Sequence, residues 1–269
     1  MSSMPCALAI SGLDPSGGAG VYADLRAFRA ASVWGCGAVA VWTVQSTAGL
    51  RSSRPVPTGH LLAQIDELFS HQRIESIKIG ALGSRANVRG VNRWLGTISP
   101  RLPVVLDPVM RPSRGNRARL LADSAAHSLL EMIERVTVIT PNVPEAEVLL
   151  GGRIRSLEEA DRAARAFVGL GARAALVKGG HLPRRGADQG TTDVLAIGGR
   201  IYHLRGRRVH AAVHGTGCTL ASLIAGRLAA TRSDGEAAIL EAVRWAKRVL
   251  QKALLHPADV GAGLSVMPL

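Results

Sequence analysis

Cys6-Ala-Leu-Ala-Ile10 runs into Ser11-Gly-Leu-Asp-Pro-Ser-Gly-Gly-Ala-Gly20, and a helix-forming stretch follows from Val21 to Ala31. The apolar run is bounded by Gly12 and is too short for a buried helix, so it reads as a first buried strand. The ten residues after it hold four glycines. That composition predicts a loop at the strand's C-terminal end, the place where open parallel sheets bind ligands. Asp24 falls in the predicted first turn of the helix, where a carboxylate complements the helix dipole or faces a ligand on the loop.

The same strand, turn and helix rhythm continues outward from this unit. Cys36 to Val44, Ser76 to Ile79, Pro103 to Leu106, Val136 to Ile139 and Ala174 to Val177 read as strands, and Thr192 to Leu204 reads as a hairpin turning at Gly198-Gly199. Helical spacing covers His60 to Ser70, Asn87 to Ile98, Glu158 to Leu170, Cys218 to Ala230 and Gly235 to Leu255. This order predicts an α/β fold, a mostly parallel sheet covered by helices on both faces, with functional loops gathered at the strands' C-terminal ends. Residues 1–269 are long enough for one large domain, and no repeat or linker divides them. Arg111 to Arg119 and Leu182 to Gly190 are the polar loops expected to be most mobile.

Composition bounds the function. The net charge is +13, yet the basic residues are scattered and aromatics make up only 3% of the chain, a poor match to a nucleic-acid surface. Of the 33 basic residues 29 are arginine, which makes Lys78 and Lys178 unusual choices of cation. No apolar run reaches membrane-spanning length and the start lacks a secretion pattern, so a cytoplasmic protein without membrane contact is expected. Cys6, Cys36 and Cys218 show no metal-ligand spacing and read as reduced thiols.

Several loops carry residues suited to phosphate chemistry. His214-Gly-Thr-Gly-Cys-Thr219 precedes a helix, so the amides of Gly215, Thr216, Gly217 and Cys218 would lie at a helix N-terminus, a natural anion site. It is not a P-loop, since no Gly-Lys-Ser/Thr follows. Asp107 and Glu145 follow neighbouring predicted strands and could hold Mg²⁺, which prefers carboxylate and phosphate oxygens. Lys178, Thr140 and Asn142 could contact nucleotide phosphates or ribose. Gln45, at the end of a strand, can donate and accept at once, as a heterocycle's amidine edge requires. Taken singly, each has a plainer structural role as a turn former, helix-end charge or satisfied polar edge. Together they describe phosphoryl transfer, in which positioning and charge neutralisation dominate.

Ser11 to Gly20 with Asp24, Lys78-Ile-Gly80, Asp107-Pro-Val-Met110, Thr140-Pro-Asn-Val-Pro-Glu145, Lys178-Gly-Gly-His181 and His214 to Thr219 resemble the hydroxymethylpyrimidine/phosphomethylpyrimidine kinases of thiamine biosynthesis, members of the ribokinase-like superfamily. The resemblance runs in order from about residue 7 to 255. It implies a three-layer α/β/α sandwich without a separate lid domain, a homodimer, and ATP as co-substrate with Mg²⁺. It also implies phosphorylation of 4-amino-5-hydroxymethyl-2-methylpyrimidine to its monophosphate and then its diphosphate. Gly12, Asp24 and Gln45 would hold the pyrimidine, Lys178 and the amides of residues 215–218 the phosphate, and Cys218 would be catalytic. Pyridoxal/pyridoxamine kinase and a pyrimidine-binding sensor are the alternatives. The chain departs from the family pattern at Ala81, at Arg111 to Asn116 and at Ala212-Val213. At a helix N-terminus the thiol of Cys218 is expected to have a lowered pKa and to act as a thiolate base.

Overall fold

The computed structural model describes residues 4–111, 120–121, 125–182, 190–207 and 213–269. Nine strands form one sheet in the order β3-β2-β1-β4-β5-β6-β7-β8-β9. They are β1 (Cys6–Leu13), β2 (Trp34–Ser46), β3 (Gly49–Pro55), β4 (Ile74–Ile79), β5 (Val104–Leu106), β6 (Val138–Ile139), β7 (Ala174–Val177), β8 (Gly190–Ile197) and β9 (Arg200–Arg207). From β2 through β7 every neighbouring pair is parallel. β3, β8 and β9 are added antiparallel at the two edges.

Alternation along β1 shows how the sheet separates two helical layers. Leu8 and Ile10 point to a core shared with α2 (Thr58–His71), α3 (Arg85–Leu95), α4 (Ala126–Met132), α5 (Val143–Leu150) and α6 (Leu157–Gly169). Ala7 and Ala9 point the other way, toward α1 (Gly20–Ala30), α7 (Thr216–Thr231) and α8 (Glu236–Leu254). Small residues on the second face allow α7 to pack closely. A Cβ on its Gly226 would sit 2.9 Å from Ala31 Cβ, and Ser76 Oγ on β4 donates to Ala225 O. Buried among β4, β5, α1 and α8, α7 is apolar around most of its circumference.

The three-layer α/β/α arrangement agrees with the expected fold class, and the hairpin turns at Gly198-Gly199, both at positive φ as a tight two-residue turn requires. Four local expectations change. β1 continues through Ser11 and Gly12 to Leu13, into the predicted loop, because its edge pairs with β2 across a register shift at Ser11/Gly12. α1 starts at Gly20, which places Asp24 beyond the first turn and inside the protein. β3 was not anticipated; Arg51, Ser52, Ser53 and Arg54 have no apolar alternation because this edge strand leaves most of its side chains to solvent. The short helices α4 and α5 were not delimited either. Most of the two polar loops, together with Ala212, lies outside the described residues.

Candidate active site

The C-terminal ends of β5, β6 and β7 bring Asp107, Thr140 and Lys178 to one edge of the sheet, each just past its strand. Lys178 Nζ donates to Asp107 Oδ1 at 2.9 Å. Asn142 lies beside Lys178 through a parallel backbone bridge and caps α5 in a reciprocal capping box, with Glu145 N–H donating to its Oδ1 and Glu145 Oε2 accepting from its N–H. Burial works against the charge on Lys178, but Asp107 and Glu145 outweigh it and hold its pKa above the ordinary lysine value. Burial pushes Glu145 up to about 7; Lys178 opposes that rise and Asp107 adds to it. One lysine therefore serves two crowded carboxylates.

α7 begins directly opposite. A Cβ on Gly217 would lie 3.1 Å from Lys178 Nζ and 3.8 Å from Asp107 Oδ2, so the helix backbone approaches the ion pair as closely as glycine permits. Its cap, Gly215, has φ +75° and supplies no side-chain acceptor, and a Cβ there would fall 2.0 Å from Gly18 O. The first amides of α7 are left without a capping side chain in a half-buried position. Lys178 faces the same amides, an arrangement of donors and charge of the kind that binds anions at helix N-termini.

Cys218 stands in the first turn of α7, yet its pKa is raised to about 12. Burial is the main cause, Lys78 and Lys178 pull it down, and Asp107 and Asp24 push it up. The shift runs opposite to the lowered value expected at a helix N-terminus, because loss of hydration and two nearby carboxylates outweigh the helix terminus.

The residues expected to hold a pyrimidine divide into two groups. Asp24 has no exposed surface and its carboxylate is saturated, accepting from Lys78 Nζ at 2.8 Å, Ser222 Oγ at 2.7 Å and Ser11 Oγ at 2.6 Å. The structure thus places Asp24 within the core, without surface of its own open to a ring. Thr140 is likewise fully buried, with its hydroxyl toward Leu106 O and Asp107 Oδ1. Gly12 and Gln45 keep positions compatible with a ligand. A Cβ on Gly12 would touch Val41 and Ala81, and Gln45 lies half-buried on the same face of β2 as Val41. Gln45 Nε2 is 3.2 Å from His214 Nε2, which itself lies 2.7 Å from Asp14 Oδ2.

Sequence reasoning gave no role to Asp14, His214, Lys78, Ser11 or Ser222. The signals were the motifs that contain Ser11, Asp14 and His214, and the fully buried Lys78, a lysine in an arginine-rich chain. Burial works against its charge, while Asp24, Cys218 and Asp107 raise its pKa above the usual value.

Among the described residues no group of three or more His, Cys, Asp or Glu side chains could cage a metal. The donor set nevertheless fits Mg²⁺, which binds through one or two carboxylates and completes its shell with water and phosphate. Asp107 Oδ2 accepts no hydrogen bond from a described residue, and Glu145, whose pKa is raised mainly by burial and further by Asp107, is the second carboxylate of the set.

A mixed sheet with helices on both faces and an uncapped helix start against a lysine–carboxylate pair define a ribokinase-like kinase. The fold matches the crystal structure of phosphomethylpyrimidine kinase from Clostridium difficile with TM-score 0.78 and 29% identity, over 93% of this chain and 99% of that one. It also matches Staphylococcus aureus pyridoxal kinase in complex with AMP-PCP and pyridoxal, with TM-score 0.85 and 25% identity over 99% and 93% of the two chains. The model of the phosphomethylpyrimidine kinase family matches residues 14–268, and the chain belongs to that family. Hydroxymethylpyrimidine/phosphomethylpyrimidine kinases of Haemophilus influenzae and Salmonella typhimurium are 35% and 37% identical to it, over 98% and 96% of this chain and 96% and 94% of their own. A thiamine biosynthesis multifunctional protein of Corynebacterium glutamicum is 36% identical over 97% of this chain, which spans 33% of that longer protein.

Proposed function

We propose that the protein uses MgATP to phosphorylate 4-amino-5-hydroxymethyl-2-methylpyrimidine and then the resulting monophosphate, as a kinase of thiamine biosynthesis. The observation that carries this reading is the Lys178–Asp107 pair facing the uncapped start of α7, since a transferring phosphoryl group needs its charge neutralised from several sides. Asp107 and Glu145 would hold Mg²⁺, which when bound neutralises phosphate charge. Asn142 stands beside Lys178 with its amide NH₂ bonded to no described residue. Asp193 accepts from Gly179 N–H and from Lys247, and Lys247 lines a cleft of about 540 Å³ with Arg205, Arg207, Arg244 and Arg248. That cationic cleft supports nucleotide binding on the β9 side.

Cys218 serves the alcohol step as a neutral thiol, taking the hydroxymethyl proton while its own passes to a phosphoryl oxygen. No thiolate has to exist beforehand. A homodimer is supported by β2, which exposes Trp42 and Val44 beside the edge strand β3; light scattering giving a monomer mass would remove it. Among the described residues no helix is long and apolar enough to cross a membrane.

The likeness to pyridoxal kinase over nearly the whole chain favours pyridoxal as the second candidate substrate. Coupled ADP formation with the two compounds side by side separates them. Faster turnover of the aminopyrimidine is expected, and faster turnover of pyridoxal would reverse the assignment.

A further inference from the structure

Asp14 belongs to the loop after β1, His214 to the loop before α7, and Gln45 to the end of β2, so three separate segments meet at one imidazole. Asp14 is buried and accepts four hydrogen bonds: from Ser16 N–H at 2.9 Å, Ser16 Oγ at 2.8 Å, Ala19 N–H at 2.9 Å and His214 Nε2 at 2.7 Å. Burial raises its pKa, but the bonds from His214 and Ser16 more than offset this and keep it below the usual carboxylate value. An ionised carboxylate can only accept, so the proton between the two residues sits on His214 Nε2. The ring cannot turn away to choose otherwise. A Cβ on Gly18 would lie 2.2 Å from His214 Cδ2, which shows how closely the loop clamps the imidazole, and His214 Nδ1 is buried without a partner.

This polarity has a consequence for Gln45. Its Nε2 lies 3.2 Å from a ring nitrogen that already carries a proton, and two N–H groups facing each other form no hydrogen bond. A half-turn of the amide puts Oε1 there, where it shares the single His214 Nε2 proton with Asp14 as the longer, 3.2 Å arm of a bifurcated bond and keeps a second lone pair. The NH₂ group is then fixed as a donor beside it.

We propose that Asp14 and His214 lock the amide of Gln45 in one orientation, so that the site selects a ring edge offering an exocyclic amine next to an unprotonated ring nitrogen and rejects the 4-oxo counterpart. In the 4-oxo ring the donor and acceptor are exchanged. A freely turning glutamine would serve both rings, whereas a locked one leaves unpaired polar groups against the wrong one. The proposal rests on the reading that Gln45 holds the pyrimidine. His214 and Asp14 are positioning residues within that reading.

The test is calorimetric binding of 4-amino-5-hydroxymethyl-2-methylpyrimidine and its 4-oxo analogue to the full chain, with ¹⁵N NMR of the histidine rings. The native protein should prefer the amine by about 10²-fold or more, rising toward the ~10⁴-fold that a fully hydrogen-bonding site achieves. His214→Phe keeps an aromatic ring in the clamp, slightly larger than imidazole, but frees Gln45. The preference should fall to about 10-fold or less, chiefly because the 4-oxo ring binds better. Loss of affinity for both rings by the same factor would mean a purely structural role and overturn the proposal. Should His214→Phe not fold, Asp14→Asn tests the same lock through loss of the fixed proton. Independently of any ligand, NMR should find the His214 proton on Nε2, and a ring protonated only on Nδ1 would overturn the proposal. If neither pyrimidine binds while the Nε2 proton is found, the substrate reading fails and the lock stands.

Discussion

Lys78 and Lys178 make the same bond with opposite consequences. Each lysine meets an aspartate oxygen, at 2.8 Å for Asp24 and 2.9 Å for Asp107, and each has its pKa held above the ordinary value by carboxylates. The Lys78 side chain is wholly enclosed, whereas that of Lys178 keeps 15% exposure beside the uncapped start of α7. Asp24 also takes two serine hydroxyls, which leaves neither of its oxygens without a donor, while Asp107 retains an oxygen without a described donor. A saturated pair joins β4 to α1 and α7 and holds the site's walls together. An unsaturated pair remains available to a ligand.

The sharpest way to break this comparison is Lys78→Ala. Removing one partner of a fully buried pair leaves an uncompensated charge and should cost about 3–5 kcal/mol of stability in denaturant unfolding. The same change at Lys178 should cost less than half of that, because solvent reaches the pair. Equal costs would mean that the two lysines do not differ in role.

A smaller effect concerns Cys218. Cys218→Ala should slow phosphorylation of the alcohol by about 10²-fold, the low end for loss of a proton-transfer group, and slow phosphorylation of the monophosphate much less, since a phosphate oxygen needs no deprotonation. With the thiol pKa near 12, site-resolved alkylation of native protein should be slow at pH 8 and accelerate only in strong alkali. An inflection between pH 6 and 8 would restore the low-pKa thiolate expected from the helix N-terminus.

The smallest effect sharpens the ligand side. Asp14 has a folded pKa below its unfolded one, so its contribution is complete above the unfolded carboxylate range and is lost as pH falls through the folded value. Asp14→Asn should therefore lower stability at pH 7 by about 2 kcal/mol, in the range of hydrogen bonds to charged groups. The gap between variant and native protein should close below about pH 4. A gap independent of pH would assign the loss to packing.

The central parallel strands and the loops at their C-terminal ends were legible because their signals are local: short apolar runs ended by glycine or proline, and a glycine-rich step before α7. The homologous motifs brought Lys178, Asp107, Glu145 and Gly217 together before any coordinates did. β3 was not legible, since Arg51 to Arg54 face solvent and carry no period. The burial of Asp24 and Thr140 depends on which strands are central, a property of topology that residue spacing does not encode. The partnership of Asp14 with His214 spans 200 positions and left no trace in either segment alone. Cys218 shows the same limit in its electrostatics. A helix terminus can be read from sequence, but the desolvation and the two carboxylates that outweigh it cannot.

The most direct measurement is turnover of Lys178→Ala with the aminopyrimidine, alongside its binding constant. A phosphoryl-transfer site predicts that kcat falls by about 10²–10³-fold, as for loss of one preorganised charge partner of the transition state, with pyrimidine affinity within a few-fold of native. An unchanged kcat, or a loss found wholly in pyrimidine binding, would contradict the assignment of Lys178 and the start of α7 to the transferring phosphate.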